Sequence, residues 1–439
     1  MSRLARLGSI ALAFAWPLAV AAQAPEPTAF AQVDAREVIA AARTLVAERY
    51  VLPETAERLE AALAEAERRG EFDGLSGPAL AERIGAVMRS VTADGHLYIS
   101  YNPGQAAALA AAGPPEDEGS ELPADYVRQI ERDNGGVMRL EVLPGNIRYI
   151  DYREFMWGTP AAEASLAAAM EFLRGGEAMI IDLRANGGGS PDAVAAMASY
   201  FLPPGTPLAR FEMRGLPGEA SETVATPFSL AGKPLYVLTS PRSFSAAEEF
   251  AMHVSAFGFG TLVGTATGGG GFRNELFALP GGYVISVSVG RPVHALTGGD
   301  WEGTGVAPKI AVADDKALLR AQAEAMAGIA AELSGAERVA AERVATYYQA
   351  LENPAPPGLP LEAYAATYGD RTITEVDGSL LMRRGNRPQT RLVPLGDNLF
   401  AAAAAPAQRV RFVVENGAVV ALELDGGAGV QRVARGTAG

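Results

Sequence analysis

Apolar residues recur at helical spacing through "DAREVIAAARTLVAERY", "PETAERLEAALAEAERRG" and "SGPALAERIGAVMRSV", each opened by Asp, Pro or Ser, so the spacing predicts three helices between residues 34 and 92. A stretch rich in Ala, Gly, Pro and acid follows at about 103 to 122 and reads as a linker. From Val137 the pattern changes to short apolar runs alternating with helical segments. "NIRYIDY", "AMIIDLR", "PLYVLTS", "TLVGTA" and "YVISVSVGRPV" read as strands. Between them, "PAAEASLAAAMEFLRGG", "SPDAVAAMASYFL" and "SAAEEFAMHVSAF" read as helices, which predicts an α/β layer. Two further helices are expected at about 313–333 and 335–352. After the Pro-rich "NPAPPGLP", residues beyond 360 alternate at strand period with turn residues between, as in a small β domain.

These patterns divide the chain into 1–22, a leader; 34–102, a helical N-terminal domain; 103–136, a linker and helix; and 137–312, an α/β domain. Then come 313–352, a helical segment; 353–360, a stiff linker; and 361–439, the small β domain. The leader has Arg3 and Arg6 ahead of an apolar run from Leu7 to Val20 and small residues after it, the layout of a secretory signal peptide cut after Ala21 or Ala22. A membrane anchor is the alternative, but the run is shorter than the ~20 residues a span requires and Pro17 interrupts it. Export to the periplasm or the medium of a bacterium is expected, with no membrane span left after the leader is removed.

Composition narrows the functions. The 439 residues carry a formal net charge of −14, which argues against nucleic acid or an anionic membrane surface as the main partner. There is no Cys, hence no disulfide and no thiolate metal site, and no cofactor or metal is expected.

The chemistry is concentrated in a few short stretches. "TSPRSFSAAEEF" places serines at 240, 243 and 245 between a strand and a helix. Ser245-Ala246-Ala247-Glu248 fits the S-x-x-E capping box, in which the hydroxyl only caps the helix. The same position also suits a nucleophile, because helix-start N–H groups and the helix dipole can stabilise an oxyanion. The tetrapeptide alone leaves both readings open. A serine nucleophile needs a base, and the chain has three histidines. His253 falls within a helix and reads as a core or surface residue, while His294 reads as loop material after a strand and is a lesser candidate. His96, in "SVTADGHLYIS", sits in a turn beside Asp94 and Gly95, where functional residues concentrate. An orienting acid is available as Glu302 in the Gly-rich "GGDWEGTGVAP". The glycines of "DLRANGGGSPDAV" could direct N–H groups at an anion, or could be only a flexible turn. "TGGGG" at 267–271 reads as a loop or lid hinge.

Together "DGHL" at 94–97, "GNIRYIDYREF" at 145–155, "IIDLRANGGG" at 180–189, "SFSAAEEF" at 243–250 and "WEGTGVAPKI" at 301–310 resemble the C-terminal processing (tail-specific) serine peptidase family. The resemblance is nearer to its tricorn-like and interphotoreceptor retinoid-binding-protein-like branch, and runs from about Ala35 to Val312. It implies a crotonase/Clp-like ββα core behind an N-terminal helical domain. It also implies roles: Ser245 as nucleophile, His96 as general base, Glu302 as the acid of the relay, and the N–H groups of Ala246 and Gly188 as oxyanion hole, with Asp94 and Thr304 in support.

Three departures from the family pattern stand out. No Lys lies between Lys233 and Lys309, so the Ser/Lys dyad of the better-known members is absent. Gly95 stands where the tricorn-like relay has a second serine, leaving Glu302 to reach His96 directly, through Thr304 or through water. The 49 positions from His96 to Gly145 leave no room for the family's PDZ module, since domains below about 50 residues rarely stand alone. The expected activity is hydrolysis of peptides or protein tails through an acyl-enzyme, with a homo-oligomer as an open possibility. Two other functions fit the same motifs: a non-catalytic carrier of a small apolar ligand, and an esterase or amidase using the same acyl chemistry.

Overall fold

A computed structural model of the protein describes residues 34–112, 122, 124–215, 218–427 and 429–436. The expected leader lies outside the described residues, among which no helix is long and apolar enough to cross a membrane.

Three helices open the described chain: α1 (Ala35–Arg49), α2 (Pro53–Arg68) and α3 (Gly77–Arg89). The Asp34 side chain caps α1 by accepting the Arg36 N–H. Pro53 and Pro78 occupy first-turn positions of α2 and α3, where a missing N–H costs nothing. Next come β1 (Tyr98–Tyr101), α4 (Pro103–Ala112) and α5 (Ala124–Arg132). The stretch read as a linker from 103 thus begins as a helix, because its Ala run has high helix propensity and Pro103 tolerates the first turn.

The α/β layer follows with β2 (Val137–Leu143), β3 (Ile147–Tyr152), α6 (Pro160–Arg174), β4 (Ala178–Asp182) and α7 (Pro191–Ala198). It continues through β5 (Pro207–Met213), β6 (Glu219–Glu222), β7 (Leu235–Thr239), α8 (Ala246–Phe257) and β8 (Thr261–Gly264). It closes with β9 (Arg273–Leu279), β10 (Tyr283–His294), β11 (Ile310–Ala311), α9 (Ala317–Glu332) and α10 (Gly335–Glu352).

Two sheets are formed. One has the order β11-β8-β7-β4-β3-β2, parallel except for the antiparallel edge strand β2. Side-chain alternation divides it cleanly. Ile150, Tyr152, Met179, Ile181, Leu235, Val237 and Leu262 face α6, α7 and α8, whereas Ile147, Tyr149, Ala178, Ile180, Leu238 and Val263 face α9 and α10. Both faces are covered, which is why "AMIID" is buried throughout. The other sheet is antiparallel, β1-β10-β5-β6 with β9 also on β10, and α1–α3 share one core with Leu97, Ile99, Leu279, Ile285 and Val287.

Beyond a 3-10 turn at Leu361–Tyr364, eight strands (β12 to β19, Ala366 to Ala434) run as an antiparallel meander. A bridge between Tyr368 and Arg435 and the Gly436 N–H to Thr367 carbonyl bond join its two ends. Tyr364, Tyr368, Phe400 and Phe412 fill it. Val393 and Ala401 of this barrel-like sheet belong to the same core as α9 and α10.

The helix α8 packs through Phe250, which is fully buried among the rings of Phe155, Phe201 and Phe259. Phe250→Ala is expected to cost roughly 3–5 kcal/mol through lost transfer energy and a cavity. Exposed Leu296→Ala should stay within about 0.5 kcal/mol. Equal shifts of the two in a denaturant titration would contradict this packing.

Candidate active site

β4 and β7 are parallel neighbours, so the loops that follow them, 183–190 and 240–245, leave the sheet at the same edge. Asn186, fully buried, locks the two loops together. Its Nδ2 donates to the Tyr152 carbonyl (3.0 Å), its Oδ1 accepts the Gly188 N–H (2.9 Å), and its carbonyl accepts the Phe244 N–H (3.1 Å). The sequence reading passed over this asparagine, whose signal was its place directly before the glycine run.

The three serines separate by their hydrogen bonds. Ser240 Oγ donates to the Arg184 carbonyl (2.6 Å) and Ser243 Oγ to the Leu183 carbonyl (2.7 Å). Ser245 Oγ makes no full cap hydrogen bond among the described residues, although it faces the Glu248 N–H in a capping box. The other half of that box is a full hydrogen bond, with the Ser245 N–H donating to Glu248 Oε2 at 2.9 Å. Ser245 is half-buried and sits at φ 57°, ψ −121°, a conformation that costs a non-glycine residue about 1–3 kcal/mol. Such strain is held only where the surroundings dictate it, and it raises the side chain at the head of α8 beside the unpaired Ala246 N–H.

Gly188 packs directly against this serine. Its φ is +114°, and a Cβ there would lie 2.7 Å from Ser245 Cβ. Its N–H, however, is taken by Asn186 Oδ1.

The dictating contact is Glu248. Its buried carboxylate accepts four hydrogen bonds: from the Ser245 N–H, Thr267 Oγ1 (2.6 Å), and the N–H groups of Gly269 (2.6 Å) and Gly270 (2.7 Å). Burial pushes its pKa up and these donors pull it back. The "TGGGG" stretch is therefore no hinge. It is a fixed cradle for two carboxylates, since the Gly271 (2.6 Å) and Phe272 (3.0 Å) N–H groups bind Glu302 Oε2.

His96 comes from the other sheet. Its turn precedes β1, and its carbonyl accepts a hydrogen bond from Ser286 Oγ of β10 (2.6 Å). Asp94 Oδ1 accepts the His96 N–H (2.8 Å) while Asp94 Oδ2 accepts Ser288 Oγ (2.6 Å). The imidazole lies 4.7 Å, centroid to centroid, from Phe244, the residue before Ser245, and its Nδ1 is buried without a partner. Phe244 is wedged among glycines: a Cβ at Gly95 would approach the ring to 2.9 Å, at Gly268 to 2.8 Å and at Gly270 to 2.1 Å. Gly95 thus has a steric reason to stand where the family resemblance would place a serine.

One ligating atom each of Asp94, His96 and Glu302 lies within 4.8 Å of the others. Such a cluster could hold a divalent cation through one nitrogen and two oxygens, or could orient and charge a base. Burial lowers the His96 pKa, against the pull of Asp94. Burial first, then Asp94, pushes the Glu302 carboxyl up to about 7. Tyr50, fully buried, also faces this group, and its hydroxyl is held protonated by burial and the Asp94 charge. Thr304 is exposed, with its hydroxyl spent on the Trp301 and Gly305 carbonyls at 3.4 Å rather than on His96 or Glu302.

The remaining histidines form a separate buried pair. His294 closes β10 instead of lying in a loop, and its Nδ1 accepts the N–H groups of Leu296 and Thr297. The proton is therefore on Nε2, which meets His253 Nδ1 at 3.0 Å. Burial and His253 push the His294 pKa down to about 4, so it stays neutral.

A strained serine, preceded by the Phe244 ring that packs on His96 near Asp94 and Glu302, suits serine-type hydrolysis. Residues 146–312, most of the α/β core, match the model of peptidase family S41. Among solved structures, the chain is similar to a candidate peptidase from Parabacteroides merdae, at 20% identity over 64% of this chain and 90% of that one, TM-score 0.46. It is also similar to the photosystem II D1 C-terminal processing protease, at 15% identity over 67% and 96%, TM-score 0.42. A third likeness, to the tricorn protease, has 14% identity over 64% of this chain and 34% of that one, TM-score 0.40.

Removing the Glu248 carboxylate leaves a hydroxyl and three N–H groups without their shared acceptor. Glu248→Ala is expected to destabilise by roughly 3 kcal/mol or more and to abolish labelling of Ser245 by a serine-directed phosphonate. Full labelling together with wild-type stability would contradict the bracing role.

Proposed function

We propose that the protein hydrolyses peptide bonds through an acyl-enzyme on Ser245, with His96 as general base and Glu302 as the acid that charges it. The observation that carries this reading is Ser245, held in a strained backbone conformation with no full hydrogen bond on its hydroxyl, while Ser240 and Ser243 both donate to carbonyls. His96 takes the Ser245 proton as Oγ attacks the carbonyl carbon, and returns it to the leaving amine; water then repeats the cycle on the ester. The Ala246 N–H is one oxyanion donor. Because the Gly188 N–H is bound to Asn186, the second donor is assigned to its neighbours in the glycine run, Gly187 and Gly189.

Asp94 holds the His96 turn through its backbone N–H and adds negative charge to the cluster, which fits the supporting part expected of it. The substrate class follows from the family: peptides or protein tails. Export to the periplasm or medium is part of the proposal and rests on the basic and apolar pattern of residues 1–22. Self-association is also proposed, through the outer edge of β2, where Met138, Leu140 and Val142 are exposed in alternation.

The active protonation state has neutral His96 and ionised Glu302. Since Glu302 titrates at about 7, kcat/KM is expected to rise with pH through about 7 and then level off. Ser245→Ala should remove turnover. Glu302→Gln should lower kcat/KM by roughly 10³–10⁴-fold and remove that limb, in line with loss of the orienting charge in other triads. Peptide turnover that survives Ser245→Ala, or a Glu302→Gln enzyme with the wild-type pH profile, would sink the mechanism.

A further inference from the structure

A cavity of about 140 Å³ opens beside the nucleophile, with Ser245 and Ala246 on one side and Phe211, Phe272 and Trp301 among its walls. A void of this size holds one benzene-sized group, hence one substrate side chain and no more. Its walls are mixed, with the aromatic rings set against Ser245, Glu249, Arg273 and Asn274. Glu249, one helical turn into α8, lines the cavity, is only 2% exposed, and its Oε1 has no hydrogen-bond partner.

The neighbourhood keeps that carboxylate in place without satisfying it. The tautomer imposed on His294 puts a proton acceptor at His253 Nδ1, which leaves the His253 proton on Nε2. That atom lies 3.5 Å from Glu249 Oε1, too far for a full hydrogen bond. Arg273 also lines the cavity, but it is one-third exposed and paired with Glu219, so its charge is already met at the rim. A buried acceptor left unsatisfied beside aromatic rings is a standing demand for a donor.

We propose, on the footing of the peptidase reading above, that this cavity receives the substrate side chain next to the scissile bond and that Glu249 selects a basic one, lysine or arginine. Such a side chain lays its methylene stem along Phe211, Phe272 and Trp301 and brings its N–H donors to the carboxylate. A net charge of −14 draws basic segments toward the protein in the same sense. The selectivity follows from differential pairing: an apolar side chain fills the walls and leaves Glu249 as it was, and an acidic one meets like charge.

The test has two arms on the full-length protein. The first is a fluorescence titration with p-aminobenzamidine, an amidinium on a benzene-sized ring, which requires no turnover. Saturable binding that weakens tenfold or more in both Glu249→Gln and Glu249→Met is expected. The second is kcat/KM on peptides differing only at that side chain, where Lys and Arg should exceed Leu by at least tenfold and the ratio should collapse in both variants. No amidine binding to the wild type, binding indifferent to Glu249, or a wild-type preference for Leu or Glu would each overturn the assignment. Ser245 unlabelled by phosphonate and no peptide cleaved, with amidine binding still dependent on Glu249, would defeat the peptidase reading and uphold the pocket.

Discussion

The structure turns on a carboxylate that does no chemistry. Glu248 is buried and would be costly to ionise, yet it collects four donors from two segments far apart in sequence. Three of those donors lie in 267–270, and the next two N–H groups of the same strip hold Glu302. A run of glycines is what permits so many backbone N–H groups to converge without side chains between them. Through this strip, the residue that fixes the strained serine and the residue that charges the base are parts of one rigid piece.

Position follows from topology in the same economical way. The serine and the glycine run arrive together because β4 and β7 are adjacent and parallel. The histidine arrives from the second sheet, where β1 is registered on β10 from Tyr98 opposite Ser286. Glu302 lies on the connection from β10 back to β11, so it spans the two sheets. Phe244 completes the joint, its ring between His96 on one side and the bare backbones of Gly95, Gly268 and Gly270.

Much of this was legible in the chain. The apolar runs of β3, β4, β7 and β8 and the helices between them are strong period signals, and their order alone implies an α/β layer. The missed strands β5, β6 and β9 are half-exposed and carry charged residues such as Arg210, Glu212, Arg273 and Glu275, so alternation was diluted. The identity of the serine left without a full hydrogen bond was not locally readable. It depends on carbonyls at 183 and 184, some sixty positions away, that engage Ser240 and Ser243. The same holds for "TGGGG", whose glycines look flexible until two distant carboxylates are known to sit on them. His294 was placed in a loop because the expected strand was ended at Val293, one residue short, whereas β10 continues antiparallel to β5 through His294 opposite Ala209.

The backbone at Ser245 sets stability and reactivity against each other. A φ of 57° is a conformation that glycine adopts at no cost and serine does not. Exchanging this serine for glycine would relieve about 1–3 kcal/mol of strain and give back only about 1 kcal/mol in the entropy of the unfolded chain. The more durable form of this fold is then the inert one. Selection for robustness alone would erase the hydroxyl, so its retention in a strained seat is itself a mark of use.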